Sequence, residues 1–185
     1  MRVLFLVNHD VVIYNFRLEL VERLLALGHE VIVSSPYGER IDDLIKLGCQ
    51  YEPVELSRHS ANPIGELKLV KYYKELIKKI RPGIVFAYTI KPNIYGGTAC
   101  KARGVPYVVN ITGLGTALEN PGPLRKITIL LYKYALKKVQ RVFLQNRENM
   151  QFFIDNKIAL GKHTLLPGSG VNLERFPALP YPSGE

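Results

Sequence analysis

The stretch that decides the fold spans residues 2–34 and reads RVLFLVNHDVVIYNFRLELVERLLALGHEVIVS. Arg2–Val7 has the apolar composition of a buried strand, and Tyr14–Leu27 carries apolar side chains at helical spacing. Gly28 stands where a helix would end, and Glu30–Ser34 is a second strand-like run. This stretch therefore predicts a strand, a helix and a second strand in succession.

The rest of the chain repeats this alternation. Further strands are predicted at Gln50–Leu56, Ile84–Tyr88, Pro106–Ile111, Arg141–Gln145 and Thr164–Leu166. Further helices are predicted at Glu39–Leu47, Pro63–Ile80, Asn93–Arg103, Leu124–Val139 and Arg147–Lys157, with Asn62 and Asn146 as the caps of the second and the last. Near-continuous apolar strands separated by helices are typical of a parallel sheet covered on both faces. We therefore expect an α/β fold in which a mostly parallel central sheet lies between two helical layers.

Composition narrows the class of protein and of partner. The 185 residues are 47% hydrophobic with a mean hydropathy of +0.02, which favours a soluble globular chain. No apolar run approaches the roughly 20 residues that a membrane-spanning helix needs, and Met1–Val7 lacks the features of a signal peptide. Cys49 and Cys100 share no motif spacing, which predicts inert packing in a reducing cytosol.

The net charge of +9 indicates an anionic partner, which could be nucleic acid, a phosphorylated substrate or anionic lipid. Nucleic acid is the weakest of these, because the chain has no zinc-ligand spacing, RNA-binding signature or glycine–arginine tract. We expect no nucleic-acid partner and no metal site.

The carboxyl-terminal part of the sequence looks like the start of a connection. Leu166–Phe176 reads LPGSGVNLERF, a short strand followed by a glycine-containing loop and an aromatic residue. Pro177, Pro180 and Pro182 cannot continue a helix or an interior strand. We expect residues 1–176 to form one domain and residues 177–185 to be a hinge that leads to a second domain.

In a parallel α/β sheet, ligands bind beyond the carboxyl ends of the strands. The loops there are Asn8–Ile13, Ser57–Asn62, Thr89–Asn93 and Thr112–Pro123. The first loop has no glycine and the second strand ends in two serines, whereas a dinucleotide site needs G-x-G-x-x-G and an acidic residue at these places. A dinucleotide cofactor is therefore improbable.

The first loop has two interpretations. Arg17, near the start of a predicted helix, would clamp a bound phosphate, or it would pair with Glu19 or a nearby loop. His9 and Asp10 would orient a substrate hydroxyl or exchange a proton with it, or they would cap the loop without chemistry.

The loops after the fourth and fifth strands also have two interpretations each. In Thr112-Gly113-Leu114-Gly115 the glycines would let backbone amides approach a ligand, or they would form a simple turn. Lys91 and Asn93 flank Pro92 at the neighbouring strand end, where the lysine would meet a phosphate or sugar oxygen, or water alone.

Two basic helices differ in pattern. Pro63–Ile80 separates an apolar face from a lysine face, as a surface helix does. Leu124–Val139 instead interleaves lysines with large apolar residues on its outer face, at Lys126, Ile127, Leu130, Lys133, Tyr134 and Lys137. This face would contact an anionic membrane surface, or it would pack against a neighbouring helix or domain.

Together these segments resemble the N-terminal half of a family 4 glycosyltransferase, and among these the bacterial enzymes that extend polyprenyl-diphosphate-linked oligosaccharides. The resemblance covers the whole chain in the order and spacing of five motifs. The motifs are Ile13-Tyr14-Asn15-Phe16-Arg17, Leu56-Ser57-Arg58-His59-Ser60-Ala61-Asn62-Pro63, Lys91-Pro92-Asn93, Gly113-Leu114-Gly115 and Gly168-Ser169-Gly170-Val171-Asn172-Leu173-Glu174-Arg175-Phe176.

The resemblance implies a GT-B architecture, in which two Rossmann-like domains of three layers face a cleft. The N-terminal domain would bind the acceptor, and a C-terminal donor-binding domain would hold the nucleotide-sugar, UDP-linked by expectation. Transfer in the family retains anomeric configuration without a metal, and its paired glutamates belong to the C-terminal half. The chain alone should therefore be inactive.

The resemblance also implies a set of site residues. Those expected to bind the acceptor are Asn8, His9, Tyr14, Asn15, Arg17, Arg58, Lys91, Asn93, Thr112, Gly113 and Gly115. Many family members carry a histidine where Thr112 stands, and threonine cannot accept a proton near neutral pH. The catalytic residue is therefore left open, with His9, Asp10 and Thr112 as candidates, and His59 as a further histidine that could compensate.

The expected function is a transferase that acts on a lipid-linked sugar acceptor at the inner, cytoplasmic face of the cell membrane, in bacterial polysaccharide or glycan assembly. A non-catalytic module that binds a glycolipid or a partner subunit is one alternative. A transferase with a soluble acceptor is another.

Overall fold

A computed structural model describes residues 1–56 and 63–179 of the chain. Strands and helices alternate along it. The strands are β1 (Arg2–Leu6), β2 (Glu30–Ser35), β3 (Gln50–Pro53), β4 (Ile84–Tyr88), β5 (Tyr107–Ile111), β6 (Arg141–Leu144) and β7 (His163–Leu165). The helices are α1 (Val11–Phe16), α2 (Leu18–Ala26), α3 (Arg40–Lys46), α4 (Pro63–Ile80), α5 (Gly97–Arg103), α6 (Thr116–Glu119), α7 (Pro123–Ala135) and α8 (Arg147–Asp155), with a π-helical turn at Pro92–Gly96 before α5.

All described strands form one parallel sheet in the order β3-β2-β1-β4-β5-β6-β7. The α/β prediction is confirmed. β1 is an interior strand, in which Phe5 is paired with Val33 of β2 on one side and Phe86 of β4 on the other. The strand order reverses between β1 and β4, so the loops that follow these two strands diverge and leave a crevice between them.

Two hydrophobic cores cover the two faces of the sheet. Alternate residues of β1 serve both cores, because successive side chains of a strand point to opposite faces. Leu4 and Leu6 pack with α4, α5, α7 and α8, whereas Val3 and Phe5 pack with α1, α2 and α3. The three-layer prediction is confirmed.

Local sequence accounts for several helix ends. Gly104 ends α5 at φ 69°, a left-handed conformation that glycine adopts without steric cost. Asn146 caps α8, because its side-chain oxygen accepts a hydrogen bond from the backbone N–H of Asn149.

Other helix bounds differ from the prediction. The helix expected at Tyr14–Leu27 begins at Val11 and is interrupted at Arg17, whose φ of −141° separates α1 from α2. The expected Leu124–Val139 helix ends at Ala135, although Val139 remains in the core. The short helix α6 was not predicted. The cap expected at Asn62 lies outside the described residues.

Candidate functional site

The loops after β1, β4 and β5 meet at the carboxyl edge of the sheet, where they enclose a pocket of about 310 Å³. We call it the polar pocket. Its lining comprises Asn8, Leu56, Thr89, Ile90, Lys91, Asn93, Thr112, Gly113 and Gly115. Six of the residues expected to bind the acceptor are thus brought together at this pocket, namely Asn8, Lys91, Asn93, Thr112, Gly113 and Gly115.

Asn93 lies at the base of the polar pocket within the π-helical turn, and its side chain is 1% exposed. Its Nδ2 donates a hydrogen bond of 3.1 Å to the backbone oxygen of Asn110. Its Oδ1 has no hydrogen-bonding partner among the described residues. A buried oxygen without a partner is costly, and at a pocket it indicates a place for a bound donor group. Insertions of π geometry into helices often accompany functional sites.

Thr89, at the end of β4, also lines this pocket and was not predicted to matter. Its φ is +70°, which is unusual for a β-branched residue. Its buried Oγ1 has no partner within the described part of the chain. Backbone strain combined with an unpaired hydroxyl is typical of binding sites. The sequence carries no signal for either feature.

The glycine loop after β5 approaches the pocket closely. Gly115 has a φ of +65°, and a Cβ atom there would lie 2.9 Å from Cδ1 of Ile90. A side chain at Gly113 would instead meet open space. The backbone conformation at 115 therefore favours glycine, whereas neither conformation nor packing requires glycine at 113.

Lys91 is not a solvated lysine. Its Nζ lies 2.7 Å from Oε1 of Glu66 on α4, and only 22% and 16% of the two side chains are exposed. Burial, together with the Glu66 carboxylate, raises the pKa of nearby Tyr95 to about 12. The polar pocket is therefore bounded by a half-buried ion pair, which can meet a ligand hydroxyl with either a donor or an acceptor.

His9 and Asp10 lie beside the polar pocket and do not line it. Nδ1 of His9 lies against Oδ1 of Asp10. The other Asp10 oxygen accepts a 2.8 Å hydrogen bond from the backbone N–H of Arg40, the first residue of α3. Asp10 is 1% exposed. These contacts cap the loop against α3, and a contact of His9 or Asp10 with a substrate hydroxyl stays a prediction.

Tyr14 and Asn15 belong to a second cavity of about 990 Å³, which they share with residues 169–172 and 175–176. The guanidinium carbons of Arg40 and Arg175 lie 4.7 and 4.6 Å from the centre of the Tyr14 ring. Nδ2 of Asn172 donates to a carboxylate oxygen of Glu19 at 3.1 Å. Two motifs from opposite ends of the sequence therefore pack together.

Arg17 contacts the end of β4, and its clamp on a bound phosphate stays a prediction. Its guanidinium carbon lies 5.3 Å from the ring centre of Tyr88, at the end of β4. Burial raises the pKa of Tyr88, and the positive charge of Arg17 offsets part of that increase. Arg58 and His59 lie outside the described residues.

A third cavity, of about 1030 Å³, adjoins the polar pocket and was missed from the sequence. We call it the tyrosine groove, because the rings of Tyr37, Tyr51 and Tyr72 line it. Its remaining lining residues are Pro36, Pro53, Val54, Glu55, Leu56, Gly65, Glu66, Lys68, Leu69 and Lys91. The three tyrosines come from the β2–α3 loop, β3 and α4, so no local sequence motif predicts that they lie together.

The outer face of α7 is exposed, as expected. Ile127, Leu130 and Tyr134 are 53%, 64% and 53% exposed, and Lys126 and Lys137 are exposed beside them, whereas Lys133 is half-buried. Apolar spacing predicts Leu124 on the core-facing side of the helix, but it is 55% exposed. We call Leu124, Lys126, Ile127, Leu130, Lys133, Tyr134 and Lys137 the α7 patch. Within the described ranges, no helix is long and apolar enough to cross a bilayer.

The described residues contain no group of three or more His, Cys, Asp or Glu side chains with metal-binding geometry. Cys49 and Cys100 are buried free thiols, and burial raises their pKa values to about 11 and about 12. Both are therefore protonated and unreactive at neutral pH.

Comparison with known proteins assigns the family. The family model described as "Glycosyl transferase 4-like" matches residues 2–146. The chain belongs to this family. The match covers β1 to β6 and thus the three loops that build the polar pocket.

A curated relative is 28% identical over 181 residues, which are 95% of this chain and 48% of the relative. It is the N,N'-diacetylbacillosaminyl-diphospho-undecaprenol alpha-1,3-N-acetylgalactosaminyltransferase of Campylobacter jejuni. The glycosyl transferase 4-like chain thus spans about half the length of this relative.

Solved structures share the fold. A glycosyltransferase from Rickettsia africae superposes with a TM-score of 0.72 at 23% identity, covering 95% of this chain and 45% of that one. HepE from Anabaena, solved with UDP and glucose, gives a TM-score of 0.67 at 14% identity, covering 94% and 46%. MurG from Acinetobacter baumannii gives 0.62 at 14% identity, covering 92% and 46%. The Rossmann-like prediction is confirmed.

Proposed function

We propose that this chain is the acceptor-binding part of a glycosyltransferase that moves a sugar from a nucleotide-sugar to a lipid-diphosphate-linked glycan. The observation that carries the proposal is the polar pocket at the carboxyl edge of the sheet, with buried oxygens of Thr89 and Asn93 that lack partners among the described residues. Membership of the family and the acceptor named for the Campylobacter relative support the same substrate class.

The pocket suits a sugar because it offers both kinds of hydrogen-bonding group. The oxygens of Thr89 and Asn93 would accept hydrogen bonds from sugar hydroxyls, and Thr112 can donate or accept. Lys91 lies at the pocket wall, where its Nζ is paired with the Glu66 carboxylate behind it. The role of these residues is to position an acceptor hydroxyl, since holding two reactants in the right geometry lowers the barrier strongly.

The donor would be a nucleotide-sugar, UDP-linked as in HepE solved with UDP-glucose, and bound mainly by a second domain of the full-length protein. Transfer would retain anomeric configuration without a metal. We assign no catalytic nucleophile or base to this chain.

The test uses the full-length protein that contains this chain. It is incubated with a panel of radiolabelled UDP-sugars and with undecaprenyl-diphosphate carrying N,N'-diacetylbacillosamine or N-acetylglucosamine. We expect label to move into the organic-extractable product, and Thr112→Ala to lower kcat/KM for the acceptor by about tenfold, the cost of one lost hydrogen bond. Equal turnover on free sugars without the lipid diphosphate would contradict the proposed substrate class.

We further propose that the α7 patch rests on the inner face of an anionic membrane, where it brings the pocket to a lipid-anchored acceptor. Apolar groups at Ile127 and Leu130 would enter the interface while the neighbouring lysines meet lipid phosphates. Each lysine near such a surface contributes roughly 1 kcal/mol. The net charge of +9 favours the same partner.

Liposome flotation tests this contact with a matched control. Reversing Lys126, Lys133 and Lys137 to Glu should abolish co-flotation with vesicles that contain phosphatidylglycerol. Reversing Lys71, Lys74 and Lys78 of α4 makes the same change in net charge away from the α7 patch, and it should retain most binding. Equal loss of co-flotation in both triple variants would show that net charge alone drives the attraction. Equal co-flotation of wild type and the α7 variant would contradict the proposed membrane contact.

A further inference from the structure

The tyrosine groove adjoins the polar pocket, because Leu56 and Lys91 line both cavities. A ligand that passes these two side chains would occupy both cavities. The groove volume of about 1030 Å³ is at the upper end of the roughly 300–1,000 Å³ of small-molecule sites, which is enough for more than one sugar ring. The polar pocket, at about 310 Å³, holds far less.

The tyrosine rings are held in place by their own hydroxyl groups. Tyr51 donates to the backbone oxygen of Ser35 at 3.0 Å, and Tyr72 donates to the backbone oxygen of Pro53. Tyr37 donates to a carboxylate oxygen of Asp42 at 3.1 Å. Because the hydroxyls are engaged, the groups left for a ligand are the ring surfaces, and little side-chain entropy is lost on binding.

Two of these rings make a corner. The centroids of Tyr37 and Tyr51 are 6.3 Å apart with an interplanar angle of 65°. Tyr37 is 66% exposed, which is unusual for a large side chain with a fixed position. An exposed and immobilised aromatic ring at a cavity rim is a recognition element for a flat apolar surface.

The remaining lining identifies the chemistry of that surface. The carboxylates of Glu55 and Glu66 and the ammonium groups of Lys68 and Lys91 line the groove, so the charges of its lining balance, and Glu66 is paired with Lys91. Carboxylates repel a polyanion and accept hydrogen bonds from hydroxyl groups. A pyranose ring presents a face of C–H groups that stacks on aromatic rings and an edge of hydroxyls that bonds to carboxylates. A neutral sugar therefore matches both features of the groove, whereas a phosphate would find no net positive charge there.

We propose that the tyrosine groove is the subsite for a neutral pyranose ring of the acceptor glycan, with Tyr37 as its stacking platform. This inference rests on the proposed function and adds to it the place where acceptor specificity is decided. Tyr51 completes the corner, and Glu66 receives hydroxyl hydrogen bonds from the sugar beside its contact with Lys91.

The kinetic test uses the full-length protein and a lipid-diphosphate-linked acceptor. Tyr37→Ala should raise the acceptor KM by about tenfold and leave the donor KM unchanged, because stacking is lost without any change at the donor. Tyr37→Phe keeps the ring and should stay within about threefold of wild type. Leu27→Ala is the matched control. It truncates a similarly exposed apolar side chain (56%) between α2 and the start of β2, whereas Tyr37 follows the end of β2, and it should leave both constants unchanged.

A binding test separates this inference from the proposed function. Saturation-transfer NMR with methyl N-acetyl-α-D-galactosaminide as the probe should show saturation of ring C–H protons with wild type and Tyr37→Phe, and should lose it with Tyr37→Ala. Glucose 6-phosphate is the anionic comparison and should show weaker saturation. If wild type transfers no sugar but binds the probe through Tyr37, the proposed function fails and the subsite stands. An unchanged acceptor KM in an active Tyr37→Ala variant, or no saturation with wild type, would overturn the subsite.

Discussion

At the scale of single residues, the candidate site contains a residue with a strained backbone, Thr89. Thr89 holds φ at +70°, although β-branched side chains disfavour this region, and it buries a hydroxyl with no partner in the described ranges. Each such feature costs about 1–3 kcal/mol. Because both features lie at the polar pocket, we infer that this conformation is kept for binding.

We therefore predict that Thr89→Gly makes the protein more stable and less active. Glycine relieves the strained φ, and after its own entropic cost the gain should be about 1 kcal/mol in the free energy of unfolding, measured by urea denaturation. The acceptor KM should rise, because one of the oxygens that meet a sugar hydroxyl is lost.

Arg81→Gly is the matched control for this substitution. Arg81 has a φ of +52° directly after α4, on the amino side of β4, and it is exposed. Its glycine variant should gain similar stability with no change in KM. A Thr89→Gly variant that is less stable, or that keeps full affinity for the acceptor, would refute the interpretation of strain at the site.

The candidate site could be predicted only where a residue follows directly from a strand end. Asn8, Lys91, Asn93, Thr112 and the two loop glycines were placed correctly at one edge of the sheet, because parallel strands present their carboxyl ends together. The pairing of Lys91 with Glu66 was not predictable, since it joins residues 25 positions apart through the docking of α4. The same holds for the tyrosine groove, whose rings come from three separate elements.

At the scale of elements, local chemistry sets some helix ends and tertiary packing sets others. Asn146 was predicted to cap α8, and its side-chain oxygen accepts the N–H of Asn149 at 2.7 Å. The interruption at Arg17 was not predicted, because the apolar pattern of residues 14–27 continues through it without a glycine or proline. No feature of the sequence predicted the π-helical turn before α5 either.

We predict that Asn146→Ala lowers the free energy of unfolding by about 1 kcal/mol, since the N–H of Asn149 loses its partner. The urea midpoint should fall with an unchanged slope. Asn146→Asp retains a capping oxygen and adds a favourable charge at the helix start, so it should be at least as stable as wild type. Equal losses in the two variants would show that the side-chain cap does not stabilise α8.

At the scale of the whole molecule, the sheet joins two cores into one unit. The strand–helix alternation predicted a parallel sheet covered on both faces, and this was confirmed. The strand order could not be predicted from the sequence. The pairing of β1 with β4 joins strands that are not successive in the chain, and it depends on where the connecting helices cross the sheet. β1 contributes to both cores, so neither core should unfold without the other.

The two cysteines report on this coupling, because they lie in different cores. Cys49 belongs to the core with α1–α3, and Cys100 to the core with α4, α5, α7 and α8. Burial raises the pKa of the Cys49 thiol from 9.0 to about 11 and that of Cys100 to about 12. In the folded protein at pH 8, Cys49 should react with iodoacetamide at least about 100-fold more slowly than an unfolded thiol, as its pKa shift requires.

Pulsed alkylation across a urea gradient, read by mass spectrometry, should give one midpoint for both thiols, equal to the midpoint of the circular-dichroism transition. The raised pKa of Cys49 also makes the free energy of unfolding depend on pH. Because the pKa is higher in the folded protein, the contribution of this thiol to stability is complete below pH 9.0 and falls as the pH rises towards 11. Alkylation of Cys49 at lower urea than Cys100 would mean that the layer of α1–α3 opens separately. In that case the floor under Asn8 and the first loop would be a mobile part of the site, and the polar pocket would not be preformed.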